Sequence, residues 1–285
     1  MTTKNTPLSL REIQLVELDI LKRLVQIFEI HNIHYILCGG TMLGAVRHQG
    51  FIPWDDDIDI LVPRDDYERL KSLARRENEK SQSLRLRLPG DKGNAYPFIK
   101  ATDINYIVKD TKRDERYPAY IWVDVFPMDH FPDNEAEHRK CIKHITALVQ
   151  ILSSNTITKE YLKTRGYYSN PLKMAKLFVS RVLYLILGGN SAISGRIDNY
   201  ARKMDKHNKQ SYHVGDGAWP NGMKDYFPLE AVVPVMKHTF EDSEFNIPVN
   251  YDKYLTLFYG DYMTIPPAGE RQDHHIEVYR VEGST

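Results

Sequence analysis

The residues with the clearest chemical meaning are aspartates in the segment CGGTMLGAVRHQGFIPWDDDIDILV, residues 38–62. Asp57 and Asp59 alternate with Ile58 and Ile60, as in a strand with acidic side chains on one face and apolar side chains on the other. Carboxylates held together on a strand repel each other unless a cation lies between them, and hard oxygen ligands suit Mg²⁺ or Mn²⁺. The alternative is a solvated acidic loop or helix start. Because the apolar interleaving indicates burial, we predict a metal site on this aspartate pair.

A glycine turn precedes the pair. Gly39-Gly40-Thr41 follows a predicted strand, His34–Cys38, and opens a predicted helix over residues 41–48. Glycine lets the backbone approach a phosphate closely, and the first N–H groups of a helix are free to bind one. A Gly-Gly turn alone is weak evidence, but here an Asp-x-Asp strand follows less than twenty residues later. We therefore predict that Gly39, Gly40 and Thr41 bind a substrate phosphate.

A further carboxylate is available in the segment YIWVDVFPMD. Asp124 lies within its apolar strand pattern, where an unpaired charge would be costly. It is either a third ligand of the predicted metal site or the partner in a salt bridge or turn cap, and the sequence favours neither. Asp129 is the weaker candidate because it follows Pro127 in a predicted loop.

Composition excludes several classes of protein. The 285 residues contain 38 Lys and Arg against 38 Asp and Glu, and 42% are hydrophobic. This hydrophobic fraction excludes a disordered or collagen-like chain, and the charge balance predicts no nucleic-acid partner. Cys38 and Cys141 are too few for a disulfide scaffold or a zinc ribbon. We predict a cytoplasmic protein, because the first residues lack a signal-peptide pattern and no window offers about 18 uncharged apolar residues.

Local patterns predict the elements that must position these residues. A long amphipathic helix, Leu10–Ile30, starts with the capping-box pair Ser9 and Glu12. Further strands are predicted over Asp57–Val62, Leu84–Leu88, Phe98–Thr102, Asn105–Val108 and Tyr120–Phe126, further helices over 64–76 and Tyr251–Tyr259, and mostly helix over 135–207 with breaks near Ser169–Pro171 and Gly188–Asn190. Gly50 is expected to close the helix over 41–48. The order predicts a single α+β unit over residues 1–285, with a catalytic first half and a helical, loop-rich second half.

The first block resembles a known family. GGTMLGAVRHQGFIPWDDDIDI, with RDDYERL just after it, resembles the LicD family. VDVFPMD and YGDYMTIPPAGERQDHH are similar to later blocks of that family and come in the same order. The resemblance runs from about residue 34 to about residue 275, although residues 135–210 carry no matching block.

This resemblance implies a nucleotidyltransferase-type fold, a mixed sheet flanked by helices. Its catalytic core would cover about residues 1–130 and an acceptor-side half about residues 131–285. In that superfamily a Gly-Gly or Gly-Ser turn is followed by a metal-binding Asp-x-Asp pair. The turn corresponds here to Gly39 and Gly40, the pair to Asp57 and Asp59, and the third superfamily carboxylate to Asp124.

The resemblance also implies an activity. Members are known or thought to transfer phosphocholine from CDP-choline to sugars of teichoic acids or lipopolysaccharide, and relatives similar to fukutin-related protein transfer ribitol phosphate from CDP-ribitol. We expect a phosphotransferase that depends on Mg²⁺ or Mn²⁺ and moves phosphocholine from CDP-choline to a sugar hydroxyl of a glycan or lipid-linked glycan. The alternatives are another CDP-alcohol, such as a CDP-alditol, as donor, or true nucleotidyl transfer. A catalytically silent scaffold is disfavoured by the intact aspartate pair.

Other residues in the matching blocks are candidates for substrate binding. Arg47 and His48 suit a diphosphate, unless they are exposed helix-end cations. Trp54 could hold a quaternary ammonium by cation–π attraction, or it could simply pack.

The last block adds three further candidates. We predict that Arg271 and one of the histidines His274 and His275 bind a substrate phosphate or the acceptor. The alternative is a surface tail.

One apolar stretch carries regularly placed cations. PLKMAKLFVSRVLYLILGG, residues 171–189, includes Lys173, Lys176 and Arg181. A basic amphipathic helix can lie on a membrane surface, which would place the protein peripherally on the inner face of the membrane. Most apolar helix stripes, however, are core packing.

Overall fold

The computed structural model describes residues 6–110, 119–267, 269, 271 and 276–282. Its helices are α1 (Leu10–His31), α2 (Gly39–His48), α3 (Arg64–Lys80), α4 (Glu135–Ser153), α5 (Lys159–Thr164), α6 (Pro171–Ile186), α7 (Gly189–His207) and α8 (Tyr251–Tyr259). Its strands are β1 (Ile36–Leu37), β2 (Asp59–Pro63), β3 (Leu84–Arg87), β4 (Ile99–Asp110), β5 (Ala119–Phe131), β6 (His213–Asp216), β7 (Phe227–Pro228), β8 (Val235–Phe240), β9 (Ser243–Pro248) and β10 (Ile276–Arg280).

The strands form a mixed sheet with helices packed against it. The main path runs β1-β2-β5-β4-β10, with β3 beside β4 and with β6 and β7 continuing from β5. The pair β2 and β5 is parallel, and the other pairs of this sheet are antiparallel. Strands β8 and β9 form a separate hairpin. The predicted α+β class is confirmed.

Helix α1 is stabilised by a capping box at its N-terminus and by burial of its apolar face. The Ser9 hydroxyl accepts a hydrogen bond from the Glu12 N–H, and the Glu12 carboxylate accepts one from the Ser9 N–H at 2.8 Å, so the predicted capping box is present. Ile20, Leu24 and Phe28 follow at helical spacing and are fully or almost fully buried. The helix therefore lies with one face on the sheet.

Two predictions of local structure were wrong in detail. The strands predicted over 98–102 and 105–108 form one strand, β4, whose register against β5 shifts between Asp103 and Ile107. Local sequence suggested a break, whereas pairing across the sheet carries the strand through it. The helix predicted from residue 41 begins at Gly39, and it ends on Gln49 in the left-handed conformation (φ 56°) instead of on Gly50.

The second half of the chain contributes to the same sheet. Strands β6 and β7 extend it next to β5, and β10 pairs with β4. A second apolar cluster lies apart from the main core, with Ile142 and Ile145 of α4 packed among Ile193 and Ile197 of α7. The helices of this region end and restart near the two predicted breaks, and a further break that was not predicted separates α4, which ends at Ser153, from α5, which begins at Lys159. The division into halves near residue 130 stays a prediction.

Asp129 has a structural partner. Its carboxylate accepts two hydrogen bonds from Arg64, with Nε–Oδ1 2.6 Å and Nη2–Oδ2 2.7 Å, and both side chains are buried. Arg64 also contacts Asp198 at 2.8 Å. This ion-pair network joins α3, β5 and α7, so Asp129 holds the fold together instead of serving the predicted metal site.

Asp129→Asn should destabilise the protein by about 3 kcal/mol, because it leaves the buried Arg64 guanidinium without its bidentate partner. Urea unfolding monitored by circular dichroism measures this. The matched control is Glu79→Gln, which breaks the exposed Arg75–Glu79 pair and should change the free energy of unfolding by less than about 1 kcal/mol. Equal effects of the two substitutions would contradict the structural role of Asp129.

Candidate active site

A cavity of about 690 Å³ lies where α2, the start of β2 and the segment after α8 meet. This volume is in the range of small-molecule sites. Its walls bring together residues that are far apart in the sequence: Gly39, Gly40, Leu43, Arg47, Ile52, Trp54, Asp55, Asp57, Asp59, Asn221, Phe258, Tyr259, Asp261, Tyr262, Thr264, Pro266 and Arg271. Seven of the predicted site residues therefore line one cavity.

The backbone of Asp59 is fixed on both sides, by Cys38 at the N-cap of α2 and by Thr41 in its first turn. The Thr41 hydroxyl accepts a hydrogen bond from the Asp59 N–H at 2.8 Å. The Asp59 carbonyl accepts one from the Cys38 N–H at 3.1 Å. Thr41 is buried, so the structure gives it a positioning role for Asp59, where the sequence predicted a phosphate contact.

Steric contacts explain why positions 39 and 40 are both glycine. A Cβ on Gly40 would lie 2.8 Å from Asp55 Oδ2, and one on Gly39 would lie 3.3 Å from Asp59 Oδ2. Gly39 also has φ +53°, a conformation that L side chains rarely adopt. The absence of side chains at these two positions therefore leaves room for the Asp55 and Asp59 carboxylates beside the first turn of α2.

Electrostatic strain is concentrated at Asp59. Burial raises the pKa of its carboxyl well above the usual value, and repulsion by Asp57, Asp124 and Asp55 raises the pKa further. Lys100 acts in the opposite direction but does not cancel these effects. A bound cation would relieve this repulsion.

Asp124 lies on the strand next to Asp59 and faces it in register. Its N–H donates to the Ile58 carbonyl at 2.9 Å. Its carboxylate forms an ion pair with Lys100, with Nζ–Oδ1 2.5 Å. Of the interpretations left open by the sequence, the salt bridge is therefore present.

Lys100 is a member of this site that the sequence prediction missed. Its ammonium lies 4.2 Å from the ring centre of Tyr96 and 4.1 Å from that of Trp122, so aromatic faces and one carboxylate surround it. Burial lowers the pKa of Lys100, while Asp124 works against this effect. A lysine inside the predicted apolar strand over 98–102 was the available signal.

The carboxylate ligands available in the cavity suit a divalent cation that is also bound by a substrate phosphate. Asp57 and Asp59 offer carboxylate oxygens on the cavity wall, and their repulsion needs a positive charge. Over the described residues, no three His, Cys, Asp or Glu side chains converge as a ready set of ligands. Mg²⁺ is commonly held by one or two carboxylates together with substrate phosphates. The residues therefore suit a cation shared with a ligand and not a closed protein cage.

Arg47 anchors the segment that follows α8. Its Nη1 donates to the Tyr262 carbonyl at 2.7 Å, and its Nε donates to His48 Nε2 at 3.0 Å. Burial and the adjacent Arg47 lower the pKa of His48, which favours the neutral ring that this hydrogen bond requires. Arg47 lines the cavity as predicted for a phosphate ligand, and His48 supports its guanidinium.

Trp54 and Arg271 contact each other. The Arg271 guanidinium lies 4.3 Å from the ring centre of Trp54, so an internal cation covers one face of the indole. Both residues line the cavity. His274 and His275 lie outside the described residues.

An aromatic wall was also missed by the sequence analysis. Phe258 and Tyr259 come from the end of α8, and Tyr262 follows two residues after the helix cap. Burial raises the pKa of the Tyr259 hydroxyl, and Asp59 raises it further, so the hydroxyl stays neutral beside the carboxylates. The segment YGDYMTIPPAGERQDHH carried the signal, but only the fold brings it to the aspartates.

Glu17 is a buried acid beside the same cluster. It is fully buried on α1, and neither carboxylate oxygen has a hydrogen-bond partner among the described residues. One turn earlier, Gln14 Nε2 donates to the Asp55 carbonyl at 2.9 Å, so this face of α1 packs on the aspartate loop. Burial raises the pKa of Glu17 well above the usual value, and repulsion by Asp57 and Asp56 adds to this. Burial and these neighbours therefore favour the neutral, protonated form of Glu17.

Comparison with known proteins agrees with this geometry. Residues 32–152 match the family described as LicD/FKTN/FKRP, nucleotidyltransferase domain. The chain is 29% identical over 282 residues to lipopolysaccharide cholinephosphotransferase LicD of Haemophilus influenzae, an alignment that covers 95% of this chain and 97% of the relative. It is also 33% identical over 106 residues to an uncharacterized protein of Rickettsia prowazekii, which covers 37% of this chain and 38% of that protein.

The fold, the aspartate cavity and these matches define the protein as an enzyme of the transferase class with a nucleotidyltransferase domain. The glycine turn and aspartates that the sequence predicted all fall within the matched residues. Residues 32–152 are thus similar to the LicD family domain, and the similarity to the Haemophilus influenzae LicD protein extends over almost the whole chain.

Replacing Glu17 should reveal its raised pKa through the pH dependence of stability. The folded protein retains a proton that the unfolded chain releases above pH 4.5. Wild-type stability therefore falls as the pH rises above that value, by up to about 1.4 kcal/mol for each pH unit until the folded-state pKa is passed. Glu17→Gln removes this loss, so its free energy of unfolding should exceed the wild-type value by more at about pH 8 than at about pH 5.

Urea unfolding at the two pH values measures the difference. Glu29→Gln, an exposed change on the same helix, is the matched control and should show no such trend. A pH-independent difference between Glu17→Gln and wild type would mean that Glu17 titrates normally.

Proposed function

We propose that this chain transfers phosphocholine from CDP-choline to a sugar hydroxyl of a cell-surface glycan of the lipopolysaccharide or teichoic acid type, with the help of Mg²⁺ or Mn²⁺. The Haemophilus influenzae relative, aligned over almost its full length, is named as a lipopolysaccharide cholinephosphotransferase. That name supports both the group transferred and the class of acceptor. The donor and the metal are proposed from the chemistry of the cavity.

One observation carries the proposal: carboxylates and aromatic rings share one cavity. Asp57 and Asp59 line the cavity that is also lined by Phe258, Tyr259 and Tyr262. A CDP-alcohol with a quaternary ammonium needs both features, because its diphosphate is bound through a divalent cation and its cationic end favours aromatic faces. The size of a CDP-alcohol is compatible with a cavity of about 690 Å³.

The residues of the chain would bind the donor in a fixed orientation. The first N–H groups of α2 and the Arg47 guanidinium would hold phosphate oxygens. Arg271 adds a second cation at the same cavity. These groups would leave the phosphorus that carries choline open to the acceptor.

In the reaction, the acceptor hydroxyl attacks the phosphorus that carries the choline oxygen, not the phosphorus next to the nucleoside. A new P–O bond forms to the sugar, the bond from this phosphorus to the oxygen bridging the diphosphate breaks, CMP leaves, and the hydroxyl proton is released to water. When bound, the metal ion supplies charge neutralisation at the bridging oxygens. Because such transition states are loose, the protein contributes mainly positioning and electrostatic stabilisation.

The Lys100–Asp124 pair suits a charge-balancing role. The Lys100 ammonium lies 2.5 Å from the Asp124 carboxylate and balances its negative charge. We infer that Asp124 faces Asp59 as a fixed negative charge, either as a third metal ligand or as the group that orients Lys100 toward the cluster.

A specific observation favours one second candidate. Asn221 and Asp261 line the same cavity and could bind the hydroxyl groups of a polyol. A CDP-alditol would then be the donor and an alditol phosphate the group transferred. The mechanism would be unchanged, because the cation, the bond broken and the CMP leaving group are the same. We place either reaction on the cytoplasmic side of the membrane.

Asp57→Asn and Asp59→Asn should each lower turnover by about a hundredfold or more, because the donor diphosphate loses its cation-binding carboxylate. Neither change should lower the free energy of unfolding, and each should leave it equal or higher, because repulsion within the cluster is relieved. Choline phosphate transfer and urea unfolding are measured on the same preparations. Asp19→Asn, an exposed carboxylate on α1, is the control. Full activity in either site variant would contradict the metal assignment.

Calorimetry identifies the donor. We expect Mg²⁺-dependent binding of CDP-choline, with weaker binding of CDP-ribitol, CDP-glycerol, CTP and ATP. The same titrations without Mg²⁺ give the contribution of the cation. Preference for CDP-ribitol or CDP-glycerol would change the group transferred, and preference for CTP or ATP would change the reaction to nucleotidyl transfer.

A further inference from the structure

Helix α6 presents an apolar face to solvent. Leu172, Phe178 and Leu185 are 75%, 69% and 75% exposed, and Val179 and Ile186 are exposed beside them. On a helix these positions form a continuous strip along one side. An apolar strip of this length at the surface of a folded chain marks an interaction site.

The same helix already has a separate buried side. Leu177 and Tyr184 are its buried residues, and Tyr184 packs in the apolar cluster formed with α4 and α7. The exposed strip is therefore additional to the face that attaches α6 to the protein. Core packing, the alternative considered from the sequence, accounts for only one side of this helix.

The charge around α6 is strongly one-sided. Residues 154–195 contain six Lys and Arg residues against a single Glu, a net charge of +5, although the whole chain has a net charge of zero. The six cations are Lys159, Lys163, Arg165, Lys173, Lys176 and Arg181, and all are exposed. Among the side chains that the structure describes, none of the six forms a salt bridge with a carboxylate. Their positive charge is thus available to an external partner.

The geometry suits a helix lying on a bilayer. Helix α6 has 16 residues, or about 24 Å, which is shorter than the hydrocarbon core of about 30 Å. Over the described residues, no single helix has the length and composition to span a membrane, and the pair α6 and α7 meets both criteria only when taken together across an 89° bend. Lys173 and Lys176 carry long side chains that can bury their stems and keep their charges at the headgroups.

We propose that the exposed face of α6 docks on an anionic lipid bilayer, with Phe178 and Leu185 inserted at the headgroup boundary and the surrounding lysines and arginines bound to anionic headgroups. A folded protein partner would also cover an apolar strip, but the excess of cations with a single acidic residue favours a surface of uniformly negative charge. The proposal deepens the proposed function, because docking would hold the enzyme at the membrane where a lipid-linked acceptor is found.

Vesicle flotation of the full chain tests this inference. We expect partitioning onto vesicles of phosphatidylcholine with phosphatidylglycerol, weaker partitioning onto phosphatidylcholine alone, and weakening by added salt. The double variant Phe178→Ser/Leu185→Ser should show vesicle partitioning reduced by about tenfold or more. In Lys173→Gln/Lys176→Gln, partitioning onto anionic vesicles should fall by about fivefold for each charge removed, and partitioning onto phosphatidylcholine alone should not change.

The matched control is Leu15→Ser, an exposed leucine of α1, which should partition as wild type does. Circular dichroism verifies that the variants are folded. Absence of wild-type partitioning, or equal partitioning of wild type and Phe178→Ser/Leu185→Ser, would overturn the proposal. A wild-type dimer that this variant converts to monomer, without vesicle binding, would also overturn it and assign the face to a second copy of the chain.

The failure of this inference is distinguishable from failure of the proposed function. Calorimetric binding of CDP-choline requires no membrane, so it should be unchanged in Phe178→Ser/Leu185→Ser. Loss of vesicle binding with intact donor binding concerns α6 alone. Vesicle binding without binding of CDP-choline would contradict the proposed activity but would still support membrane docking through α6.

Discussion

Carboxylates that repel one another are held close together around the start of β2, and the surrounding structure is arranged to tolerate this. Hydrogen bonds from Cys38 and to Thr41 fix the backbone of Asp59, so the charged strand cannot move away from its neighbours. Lys100 supplies the internal positive charge, and its ion pair with Asp124 compensates part of the repulsion. The repulsion that Lys100 does not compensate favours binding of a further cation, as the proposed site for a diphosphate and a divalent metal requires.

The fold brings the two ends of the chain to this strained centre. Helix α1 lies against the aspartate loop through Gln14, and the segment after α8 is attached to α2 through Arg47 and the Tyr262 carbonyl. The cavity therefore has an acidic wall from the first third of the chain and an aromatic wall from the last third. In the proposed function, metal binding and recognition of the donor's alcohol therefore fall to different parts of the sequence, so the group transferred could change without altering the proposed metal site.

The helices between these walls have a different physical character. Residues 154–195 concentrate positive charge in a chain of zero net charge, and α6 leaves Leu172 and Phe178 exposed. This region packs through its own apolar cluster, apart from the core around the sheet. The proposed membrane-facing role of this region is compatible with an acceptor that carries lipid, while the proposed donor cavity is lined by residues of the sheet and of α8.

The sequence by itself determined what depends on local periodicity and on residue chemistry. The capping box, the helices and two of their breaks, the strand at Asp59 and the Gly-Gly turn all follow from short-range patterns, which is why they could be predicted. The tertiary structure decided what depends on contacts between distant residues. It paired Asp124 with Lys100 and Asp129 with Arg64, turned the Thr41 hydroxyl toward Asp59, joined two predicted strands into β4, and brought Tyr259 to the aspartates. Each of these results from packing across the sheet, and no local pattern encodes which buried charge meets which partner.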